Sequence, residues 1–276
     1  MTRCLNSFVN QDEIYGGSSF LKAQYLEFTA RHCSDRVRTS ELILSSCADA
    51  SSQPVAIRPV DLGNIWSFIN KILSGSLDHD SMTAFPIFHH IVAVVGALIR
   101  LRRDLVVHTL PHLSLVLRRL MMLTRKIRPQ LGAKQSKIVT DTFPSWLSAS
   151  QPISVDEARA LARLLTSLTT KTVPRAHVYG HTSTSTESQK AESLAKPFAK
   201  HASYVLVAYV DAFNDPLCII NAEMRRELEP GLFALCEMVG EHSRDALMVS
   251  TLDSGGKTIM KSLWKDYERQ RYVGKG

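Results

Sequence analysis

The run Gly255-Gly256-Lys257-Thr258 combines the residue types that cradle phosphates in nucleotide-binding loops. The complete pattern needs a glycine five positions before Gly256, where this chain has Thr251, and a preceding strand, where the apolar spacing predicts a helix. Gly256 is therefore read as part of a tight turn between helices, and Lys257 as a helix-face residue. His108-x-x-x-His112 and His177-x-x-x-His181 have a spacing that could place two imidazoles on one helix face. Neither pair has a third or fourth ligand of zinc type nearby, and Pro111 marks a helix start inside the first pair. The chain has no G-x-S-x-G, no H-E-x-x-H and no paired-carboxylate constellation. The reading is a non-enzyme that needs neither a cofactor nor a metal.

Basic side chains form the one constellation with functional content. Residues 100–137 hold ten Lys and Arg against a single acid, Asp104, a net of +9 in a chain whose total is +7. The remainder therefore nets −2, so the basicity is local, as a patch for an acidic partner would be. Within it, Arg118, Arg119, Arg125, Lys126 and Arg128 fall in eleven positions with no acid among them. Arginine suits bidentate phosphate contact, and these five are the candidate contacts for RNA or an acidic partner. No aromatic residue is interleaved, so stacking on single-stranded bases is not supported.

Positioning such residues requires helices, and the spacing supplies them. Leu62, Ile65, Trp66, Ile69, Ile72 and Leu73 repeat every 3.6 residues behind a possible cap at Asp61, with Trp66 as a core anchor. Residues 83–103 are apolar on nearly every side, which predicts a central buried helix ending in Arg100, Arg102 and Arg103. Thr109 and Pro111 open the next helix, which Arg128-Pro129 closes. In it Leu113, Val116, Leu120, Leu123 and Ile127 face inward, with Arg118, Arg119, Arg125 and Lys126 opposite. Charge reversal at those four positions is therefore expected to leave the core intact.

Residues 130–152 read as a long loop that Trp146 could pin to the body. Ser154-x-x-Glu157 is a capping box ahead of Ala158, Leu161, Leu164, Leu165 and Leu168. The Ser/Thr-rich stretch at 181–188 marks a flexible insert over 171–196. A helix resumes at Pro197. Three short helices then follow from Pro230, the last carrying Ile259, Met260, Leu263, Trp264 and Tyr267 on one side. Four regions result: a polar N-terminal part with short helices over 1–58, a helical block with the basic face over 59–170, the insert, and a C-terminal helical block over 197–276. The expected fold is all-α with essentially no sheet, a fragment of an armadillo- or HEAT-like helical-repeat superhelix with flexible inserts.

Composition fits this reading. Hydrophobic residues make up 45% of the 276 positions, enough for a substantial core. Five scattered cysteines without a C-x-x-C read as reduced, mostly buried thiols of an intracellular protein. The N-terminus lacks the apolar stretch of a signal peptide. The most apolar run, 91–99, falls far short of the ~20 residues a membrane span needs, so the chain is expected to be soluble.

Three further runs carry a resemblance: Leu228-x-Pro230-Gly231-Leu232-Phe233-Ala234-Leu235, Leu252-Asp253-x-x-Gly256-Lys257 and Leu263-x-x-Asp266-Tyr267. Together they resemble the C-terminal domain of a fungal nucleolar family, the second of the "unhealthy ribosome biogenesis" proteins. The motif-level similarity begins near His201 and reaches the C-terminus. Members of that family are much longer than this chain, so the resemblance implies the C-terminal end of such a protein. It also implies a non-catalytic scaffold in the nucleolus, assembling the large ribosomal subunit and acting in processing of its precursor RNA. The implied partners are pre-ribosomal assembly factors, including a helical-repeat companion and a DEAD-box RNA helicase, on precursor ribosomal RNA. The alternative from the residues alone is a helical adaptor outside that pathway, its basic surface serving an acidic protein or a membrane.

Overall fold

The computed structural model describes residues 59–74, 84–147, 149, 152–171 and 192–273. The short helices expected before residue 59, most of the insert, and the pair His177 and His181 lie outside the described residues. Ten α-helices carry the described architecture: α1 (Pro59–Leu73), α2 (Ala84–Leu101), α3 (Arg103–Val106), α4 (Leu110–Met122), α5 (Ala133–Thr140), α6 (Val155–Ser167), α7 (Ala195–Asn214), α8 (Ala222–Met238), α9 (Glu241–Ser250) and α10 (Ser254–Val273). A single 3-10 turn, Val107–Thr109, joins α3 to α4.

The helices pack in two rows. Helix α4 packs against both α1 and α7, and α6 packs against both α2 and α8. Contact between α7 and α8 joins the rows, and α10 lies against both of those helices. One hydrophobic cluster runs through the whole arrangement, from Leu62 to Tyr267, across both sides of the insert.

The predicted apolar stripes are the source of this core. Leu62, Trp66, Ile69, Ile72 and Leu73 of α1 are buried. Trp66 is fully inaccessible, and its indole N–H donates to Thr109 Oγ1 at 3.0 Å. A buried indole needs such a partner, so Thr109 holds α1 while it stands at the N-cap of α4. The capping box forms as its spacing predicts: Ser154 accepts from the Asp156 N–H, and Glu157 accepts from the Ser154 N–H at 2.9 Å. In α10, Met260, Leu263 and Tyr267 are buried, and Ile259 and Trp264 pack partly against the core.

Several boundaries differ from expectation, each for a local reason. Helix α8 starts at Ala222, so Pro230 is an interior residue rather than the first helical one. Its missing N–H leaves one intrahelical bond unmade, a cost the surrounding burial of Leu228, Leu232 and Leu235 offsets. Helices α8 and α10 are therefore 17 and 20 residues long, not short. Helix α7 begins at Ala195, two positions ahead of Pro197, which then lies in its first turn. The expected loop after residue 130 contains helix α5. Only Val139 of that helix is buried, while Ile138 is 61% exposed, so no apolar stripe announces it. Trp146 does pin the following segment: it is 1% exposed and donates to the Ile72 carbonyl at 2.9 Å.

The fold is mostly helical, as expected, and the sheet among the described residues is one small ribbon. Strand β1 (Lys126–Ile127) pairs antiparallel with β2 (Cys218–Ile219), in the register Lys126 to Ile219 and Ile127 to Cys218. The Arg128 N–H continues the pairing to the Leu217 carbonyl at 3.1 Å. Neighbouring helices α4 and α7 each end a few residues earlier, so the two departing segments meet side by side and satisfy each other's backbone groups.

Candidate functional site

The basic residues do not share one helix face. Helix α4 stops at Met122, and Thr124 closes it, its hydroxyl donating to the Met121 carbonyl at 2.7 Å. Beyond that point the 3.6-residue projection no longer applies, and the five candidates separate into two kinds.

Arg125 is interior, 8% exposed. Its guanidinium donates to the Met122 carbonyl at 2.9 Å, to Asp215 Oδ2 at 2.9 Å and to Thr142 Oγ1 at 3.2 Å. The ring of Phe143 lies under it, 5.4 Å from the guanidinium carbon. One side chain thus ties the end of α4 to the turn after α7 and to the segment that follows α5. Burial alone would raise the Asp215 carboxyl. Hydrogen bonds from the Leu217 N–H, Cys218 and Arg125, together with the arginine charge, instead hold it below its ordinary value. Arg119 donates to the Asn70 carbonyl at 2.6 Å and braces α4 against α1. Arg128 donates to the Cys218 carbonyl at 3.0 Å and supports the ribbon. The expectation that reversing Arg118, Arg119, Arg125 and Lys126 spares the core is therefore corrected, because a carboxylate at the interior position 125 would face partly buried Asp215.

Arg118 is the member fully on the surface, with Asp211 of α7 within its electrostatic reach. Lys126, in the ribbon, is half-buried. Lys134 and Lys137 of α5 are exposed, and they extend the solvent-facing positive charge past the ribbon.

Arg102 and Arg103 are also interior, at 5% and 8% exposure, because α2 ends at Leu101 rather than running through them. Arg103 donates to the carbonyls of Thr170, at 3.1 Å, and Glu192. Thr170 precedes the insert and Glu192 lies near its end, so one guanidinium joins the two.

The remaining candidates for chemistry resolve into structural roles. Asp253 caps α10 through the Gly256 N–H and accepts from Asn214 Nδ2 at 3.0 and 3.1 Å. A Cβ at Gly255 would lie 2.4 Å from Asn214 Oδ1, and one at Gly256 would lie 3.0 Å from Val210. The expected turn between helices is corrected, because both glycines lie in the first turn of α10, where they let its start pack closely against α7. His108 and His112 are both exposed, and among the described residues no cluster of three or more His, Cys, Asp or Glu could hold a metal. Burial pushes the Cys218 and Cys236 thiols up to about 12, far from the reactive range. Among the described residues no helix is long and apolar enough to cross a membrane.

One pairing had no sequence signal. His89 Nε2 lies 2.8 Å from Glu157 Oε1, although the two residues are 68 positions apart. Ser154 Oγ bonds the same carboxylate and not the imidazole, so the trio lacks the nucleophile-to-base contact of a hydrolytic triad. It caps α6 and fastens α2 to it.

A cleft of about 290 Å³ opens where α7, α8 and α10 meet. Tyr209 and Phe213 of α7 and Phe233 of α8 give it aromatic walls, and Arg225, Leu263 and Asp266 also line it. Phe233, Leu263 and Asp266 belong to the runs that carry the family resemblance, although their spacing alone does not reveal a cleft.

No curated protein and no solved structure matches the chain. The model of the Urb2/Npa2 family, however, matches residues 38–275, which include both helical rows, the ribbon and the cleft. That family supplies non-catalytic scaffolds for nucleolar processing of large-subunit pre-ribosomal RNA, and this chain belongs to it.

Proposed function

We propose that the chain performs its scaffold role as part of an armadillo- or HEAT-like superhelix. The solvent-facing basic residues would then touch the phosphate backbone of precursor ribosomal RNA. The observation that carries this reading is the two-row packing, in which alternate helices stack on each other rather than only on their chain neighbours. Such stacking buries a continuous core and leaves extended faces for partners. Contact with other pre-ribosomal assembly factors follows from the family. The helical-repeat companion and the DEAD-box RNA helicase implied by the resemblance are the partners assigned to those faces. In this division Arg118 and Lys126 make the contacts, joined by Lys134 and Lys137, while Arg119, Arg125 and Arg128 hold the surface that presents them. The blocks over 59–170 and 197–276 act as one body, supported by the shared hydrophobic cluster.

The test is RNA binding by the chain in which Arg118, Lys126, Lys134 and Lys137 are all replaced by Glu. These residues lie at or near solvent, so its melting temperature should stay close to that of the parent chain. Affinity for large-subunit precursor RNA should fall for all sequences alike, since phosphate contacts carry no base information. The slope of log affinity against log salt should also flatten, by roughly 0.7–0.9 for each phosphate contact removed. Unchanged affinity and slope in the folded variant would remove these residues from the interface.

A further inference from the structure

The cleft between α7, α8 and α10 contains a cation without a counterpart. The Arg225 guanidinium lies over the Phe213 ring, 5.1 Å from its centroid. Its Nε is buried and has no hydrogen-bond partner, although a buried donor ordinarily finds one. The neighbouring acids are committed or set apart. Asp266 pairs with Arg269 at 3.4 Å along its own helix, and Glu229 forms no ion pair with Arg225. The aromatic side chains form the walls, with Tyr209 and Phe213 stacked at 6.1 Å. Phe233 is also in contact with Tyr267, their centroids 6.0 Å apart, so the wall it forms is backed by the α10 core.

We infer that this cleft is a docking site for a short peptide segment of a partner protein, one that inserts an aromatic or aliphatic side chain and places a carboxylate on Arg225. The volume, about 290 Å³, accommodates one large side chain with its flanking backbone. A carboxylate would supply the acceptor that the guanidinium lacks, in a charge-assisted and partly desolvated bond. The charge balance favours peptide over nucleic acid. Glu229 and Asp266 share the lining with Arg225 and Arg226, so a phosphate chain laid along the cleft would meet two carboxylates, whereas a single peptide carboxylate need reach only Arg225. A peptide backbone offers N–H groups to those acids while its own carboxylate takes the arginine. The inference stands on the cleft and is independent of the basic surface assigned to RNA above.

The test uses the whole chain and four probes: blocked pentapeptides with a central Phe flanked by Glu, by Lys or by Gln, and an oligouridine. Binding is followed by the fluorescence of Trp264, which contacts Tyr267 at 5.8 Å. The Glu-flanked peptide should bind best, and Arg225→Gln should weaken it about tenfold while leaving the Gln-flanked peptide nearly unchanged. Ser262→Trp, which fills the cleft from the exposed side of α10, should abolish binding without altering the melting temperature. Equal binding of all three peptides, no binding of any, or an Arg225→Gln variant that keeps the acidic preference would overturn the inference. Oligouridine binding that Ser262→Trp blocks would also overturn it, assigning the cleft to nucleic acid instead.

Discussion

Replacing Arg125 with Ala is expected to destabilise the chain by about 3 kcal/mol, the low end of the cost of removing one partner of a buried ion pair, because the Asp215 side chain keeps 20% of its surface exposed. Three acceptors lose their donor at once: the Met122 carbonyl, Thr142 Oγ1 and the partly buried Asp215 carboxylate. The turn after α7 and the segment that follows α5 lose their common tie. Most of the cost comes from leaving Asp215 without its cation. The double variant Arg125→Met with Asp215→Asn should therefore recover part of the loss, because Asn has no charge to strand and keeps an acceptor for the Leu217 N–H. Denaturant midpoints of the parent and the single and double variants measure this directly. The pH dependence gives a second check. Asp215 has a depressed pKa, so its contribution is fully present above the unfolded-state carboxylate pKa and is lost as pH falls through the lower folded value. In Arg125→Ala the bonds from Leu217 and Cys218 remain but the arginine's hydrogen bond and charge are gone, so the Asp215 pKa should rise toward its ordinary value. The acid limb of stability against pH should flatten in the variant.

The second large effect concerns Gly231. A Cβ there would lie 2.8 Å from the Ala162 Cα and 3.0 Å from both the Ala162 carbonyl oxygen and Leu165 Cδ1. Two of those three atoms are backbone, so a rotamer change cannot make room. Helices α8 and α6 would have to separate along their contact. Gly231→Ala should destabilise by about 1–3 kcal/mol through overpacking, even though alanine is the better helix former by about 1 kcal/mol. Gly63, in α1, supplies the control, because nothing lies within 4 Å of its Cβ position. Gly63→Ala should stabilise by roughly 0.5–1 kcal/mol. The same substitution is thus expected to carry opposite signs at two helical glycines, and thermal melts of the two variants decide it. A stabilised Gly231→Ala chain would mean that α6 and α8 do not approach this closely.

Local features of the fold were legible because they depend on residues close together in sequence. The stripe around Trp66 and the Ser154 and Glu157 capping box each join residues a few positions apart, and each forms. Pro230 misled because its ring favours a first-turn position, whereas tertiary burial of α8 carries the helix through it. Helix α5 was hidden because it buries almost nothing. The basic segment shows the limit most clearly. The density of arginine was visible, but the fate of Arg125 depends on Asp215, 90 positions away. No periodicity encodes that distance, so a side chain assigned to an outer face proved to be an internal brace. The cleft was equally out of reach: Arg225 and Phe213 meet through the turn and ribbon that separate α7 from α8, while Leu263 and Asp266 come from a third helix.

The family assignment and the helical architecture converge on a protein that holds precursor particles together rather than transforming a substrate. The measurement that tests this most directly is gradient sedimentation of nucleolar extract containing the tagged chain, before and after RNase treatment. The chain should travel with large-subunit precursor RNA and its assembly factors in heavy fractions, and move to lighter ones when the RNA is cut. A chain that stays in light fractions while the precursor RNA remains heavy would contradict it.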